Sequence, residues 1–101
     1  MNWFVISLHY VAPLTAIDGA MRAHVAFLEV QRKAGRFIAW GRKVPRTGGI
    51  ILARGESREE IERIMADDPF ISRKLAEVEV TEFAPKPAAV VDGVERLLRS
   101  S

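Results

Sequence analysis

Hydrophobic and polar positions alternate over the first ten residues, which predicts a β-strand over residues 2–10. One side of this strand carries Phe4, Ile6, Leu8 and Tyr10, and the other carries Trp3, Val5, Ser7 and His9. Because both sides are largely apolar, we expect both faces of the strand to be covered.

The spacing then changes from two residues to three or four, which is typical of a helix. The residues on one side of this helix are Ile17, Met21, His24, Leu28 and Gln31. The pattern predicts a helix over about residues 16–34, with Thr15 as its N-cap and Gly35 in a left-handed C-terminal cap.

Three further strands and a second helix are predicted after Gly35. Ser57 and Glu60 have the spacing of a capping box, and Pro69 disfavours helical geometry at Asp68, so the second helix should end near Ala66. The predicted elements are a strand over 36–41, a turn over 45–49, a strand over 50–54, the helix after Ser57, one turn over 69–75 and a strand over 78–83.

The last segment follows two prolines and has an amphipathic helical pattern. Its apolar side carries Val90, Val91, Val94, Leu97 and Leu98. We therefore divide the chain into a domain over residues 1–85 and a C-terminal helical extension over residues 86–101.

The order strand, helix, strand, strand, helix, strand predicts an α+β protein of the ferredoxin-like βαββαβ type with an extra C-terminal helix. The helices of this arrangement cover one face of the sheet. Since the other face would still carry Val5 and its apolar neighbours, we expect two copies to pair their sheets face to face as a homodimer.

Composition narrows the range of chemistry. The 101 residues include no cysteine and two histidines, so disulfides and thiolate catalysis are excluded and no metal site or cofactor is expected. The apolar N-terminal run lacks the features of a signal peptide, and no stretch approaches the length of a membrane span. We expect a cytoplasmic protein with no membrane partner.

Basic residues are concentrated in the middle of the chain. Between residues 32 and 54 there are several lysines and arginines and no acid, although the net charge is only +2. This distribution is typical of a solvated hairpin, and it is also suited to attracting an anionic substrate. Nucleic-acid binding is not expected, because no aromatic residues interleave usefully with the basic ones and no recognised motif is present.

Several segments taken together resemble the YCII-related (YciI-like) family. They are Phe4–Leu8, Ala23–Leu28, Ala34–Phe37, Lys43–Ala53 and Asp67–Phe70, in the family's order and spacing over about residues 3–84. The resemblance implies a dimeric α+β barrel with a ferredoxin-like fold and an active-site pair formed by His24 and Asp68. Some relatives look like dehydrochlorinase-type lyases of hydroxylated aromatic compounds, and muconolactone isomerases share the broader fold.

The chain departs from the family pattern at two places. The family often has an arginine three positions before the histidine, where this chain has Met21, and Arg22 follows one residue later. It also favours Gly-Pro after the second strand, where this chain has Gly41-Arg42. Because of these two departures, the resemblance alone does not specify the substrate class of this chain.

Each member of the predicted pair has a structural alternative. His24 lies on the apolar side of its helix, where the structural alternative is a buried histidine that only makes a hydrogen bond within the core. Histidine is also the side chain best suited to proton exchange near neutral pH. Asp68 precedes a proline and can cap the next turn, or it can fix the tautomer of His24. One residue could do both.

Six further residues are candidates for contacting a substrate. For each, the structural alternative is a side chain that packs in the core, fills an interface or is solvated. They are Ser7, His9, Tyr10, Arg22, Trp40 and Phe70. The leading hypothesis is a cofactor-independent lyase or isomerase that acts on a small hydroxylated, aromatic or lactone-like compound through a His-Asp pair. One alternative is a non-catalytic module that binds a small metabolite or has a regulatory role. Another is a cofactorless oxygenase of the same fold.

Overall fold

A computed structural model describes residues 1–90 and Gly93. The described residues form four strands, three α-helices and a short 3-10 helix at Pro87–Ala89. In chain order the other elements are β1 (Asn2–Tyr10), α1 (Leu14–Lys33), β2 (Phe37–Arg42), β3 (Gly48–Gly55), α2 (Arg58–Met65), α3 (Pro69–Ser72) and β4 (Ala76–Phe83).

The strands form one antiparallel sheet in the order β2-β3-β1-β4. The predicted ferredoxin-like fold is confirmed, since the two central strands are joined through a helix and a hairpin as that fold requires. Helices pack on one face, against the side of β1 that carries Phe4, Ile6 and Leu8, all of them buried. This layer of helix and sheet is the hydrophobic core.

Helix α1 begins earlier than predicted, and the predicted cap at Thr15 is wrong. The N-cap is Pro13, whose carbonyl accepts hydrogen bonds from the N–H groups of Ala16 and Ile17. Thr15 is therefore inside the first turn. At the other end Gly35 has φ of 79°, and its N–H donates to the Arg32 carbonyl. This left-handed cap is the predicted one.

The sequence predicts a turn over residues 45–49, but Gly48 and Gly49 begin β3, and the connection between β2 and β3 spans residues 43–47. The physical reason is a close approach of two strands. A Cβ atom at Gly48 would collide with the carbonyl oxygen of Leu8. Glycine is needed here so that β3 can pair with β1 up to His9.

The second helical region follows the sequence closely at its start. The Ser57 hydroxyl accepts a hydrogen bond from the Glu60 N–H at 3.1 Å, as the capping box predicts. Helix α2 ends at Met65. The turn predicted over residues 69–75 is the shorter helix α3. After α3, Lys74 adopts φ of 57° and the Leu75 N–H donates to the Phe70 carbonyl.

The face of the sheet opposite the helices has no α-helix over it within the described residues, but residues 84–90, which include the short 3-10 helix, border it at Trp3, Leu52 and Phe83. It carries apolar side chains that are half-buried or exposed, with Trp3 and Val5 on β1, Leu52 on β3 and Phe83 on β4. The predicted C-terminal helix falls largely on residues 91, 92 and 94–101, outside the described residues. Within residues 1–90, no helix combines the length and the apolar character needed to cross a membrane.

Candidate active site

Helix α1 and the start of α3 bring His24 and Asp68 together. His24 lies on the side of α1 that faces the sheet and is 8% exposed, and Asp68 is fully buried. The ring nitrogen Nδ1 of His24 lies 2.8 Å from Oδ1 of Asp68. A carboxylate only accepts hydrogen bonds, so this contact suits the tautomer in which Nδ1 donates to Oδ1 and Nε2 of the neutral ring holds the lone pair.

Asp68 is also the N-cap of α3. Its Oδ1 accepts a hydrogen bond from the Phe70 N–H at 3.0 Å, and Pro69 is the first residue of the helix. The structure thus combines the two roles that the sequence left open for Asp68 on a single oxygen atom. The other oxygen, Oδ2, is buried and has no partner within the described residues.

Phe70 fixes the plane of the His24 ring. The two rings are stacked at 3.8 Å between centroids with an interplanar angle of 8°. Tyr10, at the end of β1, packs its ring edge against Phe70 at 5.8 Å. The imidazole is held by Asp68 at one edge and by Phe70 on one face, so its orientation is restricted before any ligand binds.

The His24 ring lines a cavity of about 150 Å³ between α1 and the sheet. The cavity walls are mostly apolar and include Met21, Trp40 and Phe70. Among buried side-chain atoms of the described residues, those without a hydrogen-bond partner are Oε1 of Gln31 and Oδ2 of Asp68. His24 is 8% exposed and is part of the cavity wall, so a molecule in the cavity can contact it.

The structure separates the six predicted substrate-contacting residues into two groups. Tyr10, Trp40 and Phe70 line the cavity with His24. Ser7 and His9 lie on the opposite, open face of β1, and Arg22 is exposed on α1; none of these three lines the cavity. A one-residue offset on a helix turns a side chain by about 100°, which accounts for the position of Arg22 beside Met21.

From the sequence, Arg42 is one of the basic residues that could attract an anion, but it was not predicted to line the cavity. It ends β2 two positions after Trp40, so the two side chains lie on the same side of the strand, and both line the cavity. This alternation is visible in the sequence. The basic character of the surrounding segment concealed it, since charged residues in a hairpin are usually solvated.

An ion pair joins the tip of the β2–β3 hairpin to α1. The Arg46 guanidinium donates a hydrogen bond to the Asp18 carboxylate. This bond raises the pKa of Arg46 above its ordinary value, and Tyr10 contributes in the same direction. The Tyr10 N–H also donates to the Thr47 carbonyl at 2.9 Å. These contacts hold the hairpin beside the end of β1 that borders the cavity.

The residues around the pair do not provide a metal-binding set. Within residues 1–90 and Gly93, no group of three or more histidine, aspartate or glutamate side chains is placed to hold a metal ion.

Comparison with known proteins places the chain in a family. A model of the YCII-related domain matches residues 1–84. The chain belongs to the YCII-related family. The match includes every strand of the sheet and both members of the His24–Asp68 pair. A search of curated proteins returned no match.

Solved structures share the fold of this YCII-related protein. One is 5-chloro-2-hydroxyhydroquinone dehydrochlorinase (TftG) from Burkholderia phenoliruptrix AC1100, in complex with 2,5-dihydroxybenzoquinone. The two chains have a TM-score of 0.71 and 18% sequence identity over 87% of this chain and 98% of the other. At this identity the likeness establishes the fold and no more.

Proposed function

We propose that this YCII-related protein is a cofactor-independent lyase or isomerase that acts on a small hydroxylated ring compound, aromatic or lactone-like. His24 is its general acid/base, and Asp68 orients and supports the ring. The observation that carries the proposal is the 2.8 Å contact between His24 and a fully buried carboxylate, made by a ring that also lines a cavity.

The geometry suits proton transfer through Nε2. Asp68 accepts from Nδ1–H and so holds the tautomer with its lone pair on Nε2, facing the substrate. Nε2 takes a proton from a hydroxyl group or an acidic carbon, and the buried carboxylate then stabilises the imidazolium. In a lyase reaction the released electron pair forms a new double bond as a leaving group departs. In an isomerase reaction His24 returns the proton to a different atom.

The size of the cavity supports the substrate class. A space of about 150 Å³ accommodates one benzene-sized ring. TftG acts, by its name, on 5-chloro-2-hydroxyhydroquinone, and its structure holds 2,5-dihydroxybenzoquinone, which is also a single hydroxylated ring. The fold likeness and the cavity therefore favour the same kind of molecule.

The test is a comparison of turnover between the wild-type protein and His24→Asn, using a panel of hydroxylated aromatic compounds and lactones. The amide of the introduced asparagine reaches the position of Nδ1 and can still donate to Asp68, but it has no group at Nε2 to exchange a proton. We expect turnover to fall at least about 100-fold, the usual contribution of a general acid/base, while the fold is retained.

Val30→Asn is the matched control, because Val30 is 61% exposed on the same helix and does not line the cavity. It should turn over substrate as the wild type does. Retained activity in His24→Asn would refute the catalytic role of His24. Ligand binding without turnover in either protein would favour the alternative, a non-catalytic small-metabolite-binding or regulatory module.

We also propose that two copies form a homodimer through the open face of the sheet. The support is the row of incompletely buried apolar side chains described above, on a face that no α-helix of residues 1–90 covers. Pairing two such faces removes this apolar surface from water. The cavity beside His24 lies on the helix side of the sheet and stays accessible in that arrangement.

A further inference from the structure

The cavity beside His24 carries one permanent charge. Among its lining residues in the described part of the chain, Arg42 is the one lysine or arginine, and none is an aspartate or glutamate. The other polar side chains that line it are His24, Tyr10 and Trp40, and the rest of the wall is apolar or glycine. A ligand that enters the cavity therefore meets a single positive group at a fixed place.

The pairing of β2 with β3 explains why Arg42 faces the cavity. Trp40 pairs with the buried Ile51, and Arg42, two residues further along the same side of the strand, pairs with Gly49. Gly49 also lines the cavity and has no side chain to fill the space across from Arg42. The exposed Arg42 side chain thus stands at the open end, whereas His24 is nearly buried.

The charge of Arg42 has no counter-ion within the described residues. Its neighbour at the hairpin tip, Arg46, is paired with Asp18. Arg32, Arg36 and Arg58 are each paired with a glutamate. No hydrogen bond or ion pair engages the Arg42 guanidinium in the same part of the chain, so its donors are available to a ligand.

We propose that the ligand of this site is a single-ring compound that carries a carboxylate, with the hydroxylated part of the ring beside His24 and the carboxylate on Arg42. This rests on the proposed function, which places a hydroxylated ring in the cavity. A guanidinium matches a carboxylate with two parallel hydrogen bonds. Arg42 is the one lysine or arginine among the described residues that line the cavity, so the charge of the wall matches a ligand with a single carboxylate.

The test uses two probes of nearly the same shape, 4-hydroxybenzoate and its neutral amide, 4-hydroxybenzamide. Dissociation constants are measured by NMR titration of the full-length ¹⁵N-labelled chain at low salt. We expect the wild type to bind the acid about five- to tenfold more tightly, which corresponds to about 1–1.4 kcal/mol. In Arg42→Gln the preference should fall to about one, while binding of the amide stays unchanged.

Arg63→Gln is the matched control, because it removes the same charge from an exposed position on α2 that does not line the cavity. It should keep the preference for the acid. In the wild type, added sodium chloride should reduce the preference, as expected for an ion pair at an exposed position.

The proposal is overturned if the wild type binds both probes equally, if it binds neither at millimolar concentration, or if Arg42→Gln retains the wild-type preference. Failure of the proposed function has a different signature. His24→Asn keeps Arg42 and should still prefer the acid although turnover is lost, so the binding preference and the turnover report on separate residues.

Discussion

At the scale of single residues, one oxygen atom of Asp68 joins two parts of the molecule. Oδ1 accepts hydrogen bonds from the Phe70 N–H and from Nδ1 of His24. Since both contacts are buried, the loss of either leaves a polar group without a partner, which costs about 1–3 kcal/mol. The residue that starts α3 is therefore also the residue that contacts the imidazole.

Replacing Asp68 by asparagine or alanine should separate these effects. Asp68→Asn keeps an oxygen at the Oδ1 position and places an amide where Oδ2 is now buried without a partner, so we expect a loss of about 1–3 kcal/mol in unfolding free energy. Asp68→Ala also removes the cap and the acceptor for His24, and should lose about 1 kcal/mol more. Urea denaturation measures both, and an alanine variant as stable as the asparagine variant would contradict the dual role.

The pair was predictable from the sequence, but its surroundings were not. The helical spacing placed His24 towards the protein, and the family resemblance paired it with Asp68. The stacking of Phe70 on the imidazole depends on the turn geometry of α3, which a hydrophobic pattern does not specify. Ser7 and His9 were candidates either for contacting a substrate or for filling an interface, and they lie on the open face of the sheet, away from the cavity beside His24.

At the scale of elements, glycine decides how far β1 and β3 can pair. In the sequence Gly48-Gly49 has the appearance of a turn, because glycine is common both in turns and in strands that approach another backbone. The composition alone does not distinguish these two uses. The close approach of the Leu8 carbonyl to Gly48 identifies the second use, a glycine in a strand that approaches another backbone.

Gly48→Ala should therefore be strongly destabilising. The added Cβ would collide with the Leu8 carbonyl, and overpacking of this kind typically costs about 1–3 kcal/mol. Gly41→Ala is the matched control, since Gly41 is also in a strand and nothing lies within 4 Å of its Cβ position. Thermal and urea unfolding should show a much larger loss for the first variant, and equal losses would refute the steric explanation.

Gly19→Ala should have the opposite effect. Gly19 is exposed inside α1, and nothing lies within 4 Å of its Cβ position. Alanine is favoured over glycine in a helix by about 0.5–1 kcal/mol, mainly because it restricts the unfolded chain. A higher unfolding free energy in urea is expected, and a decrease would mean that this part of α1 is not an ordinary exposed helix.

At the scale of the whole molecule, the two faces of the sheet have different roles. The helix face holds the core, the His24–Asp68 pair and the cavity, and the open face holds apolar side chains that are half-buried or exposed. The order of elements predicted this division, because helices in a βαββαβ arrangement lie on one side. The hydrophobic pattern does not specify where the last residues lie, and the C-terminal helix remains a prediction.

A charge placed on the open face should prevent the proposed dimer. Val5 is in the central part of that face, between Leu52 and Thr81, and Val5→Glu would bury a carboxylate in the interface. Val30→Glu on the exposed side of α1 is the control. Size-exclusion chromatography with light scattering should give a dimer for the wild type and the control and a monomer for Val5→Glu. A monomeric wild type would exclude the dimer.

The most direct test of the His24–Asp68 site is the ¹⁵N NMR spectrum of the two histidine rings, recorded before and after 4-hydroxybenzoate is added. His9 is exposed on the other face of β1 and serves as an internal control. Our account predicts a protonated Nδ1 in His24 and a ligand-dependent shift of its Nε2 signal, with His9 unchanged. A proton on Nε2 instead of Nδ1 in free, neutral His24, or a His24 ring that does not respond to the ligand, would contradict it.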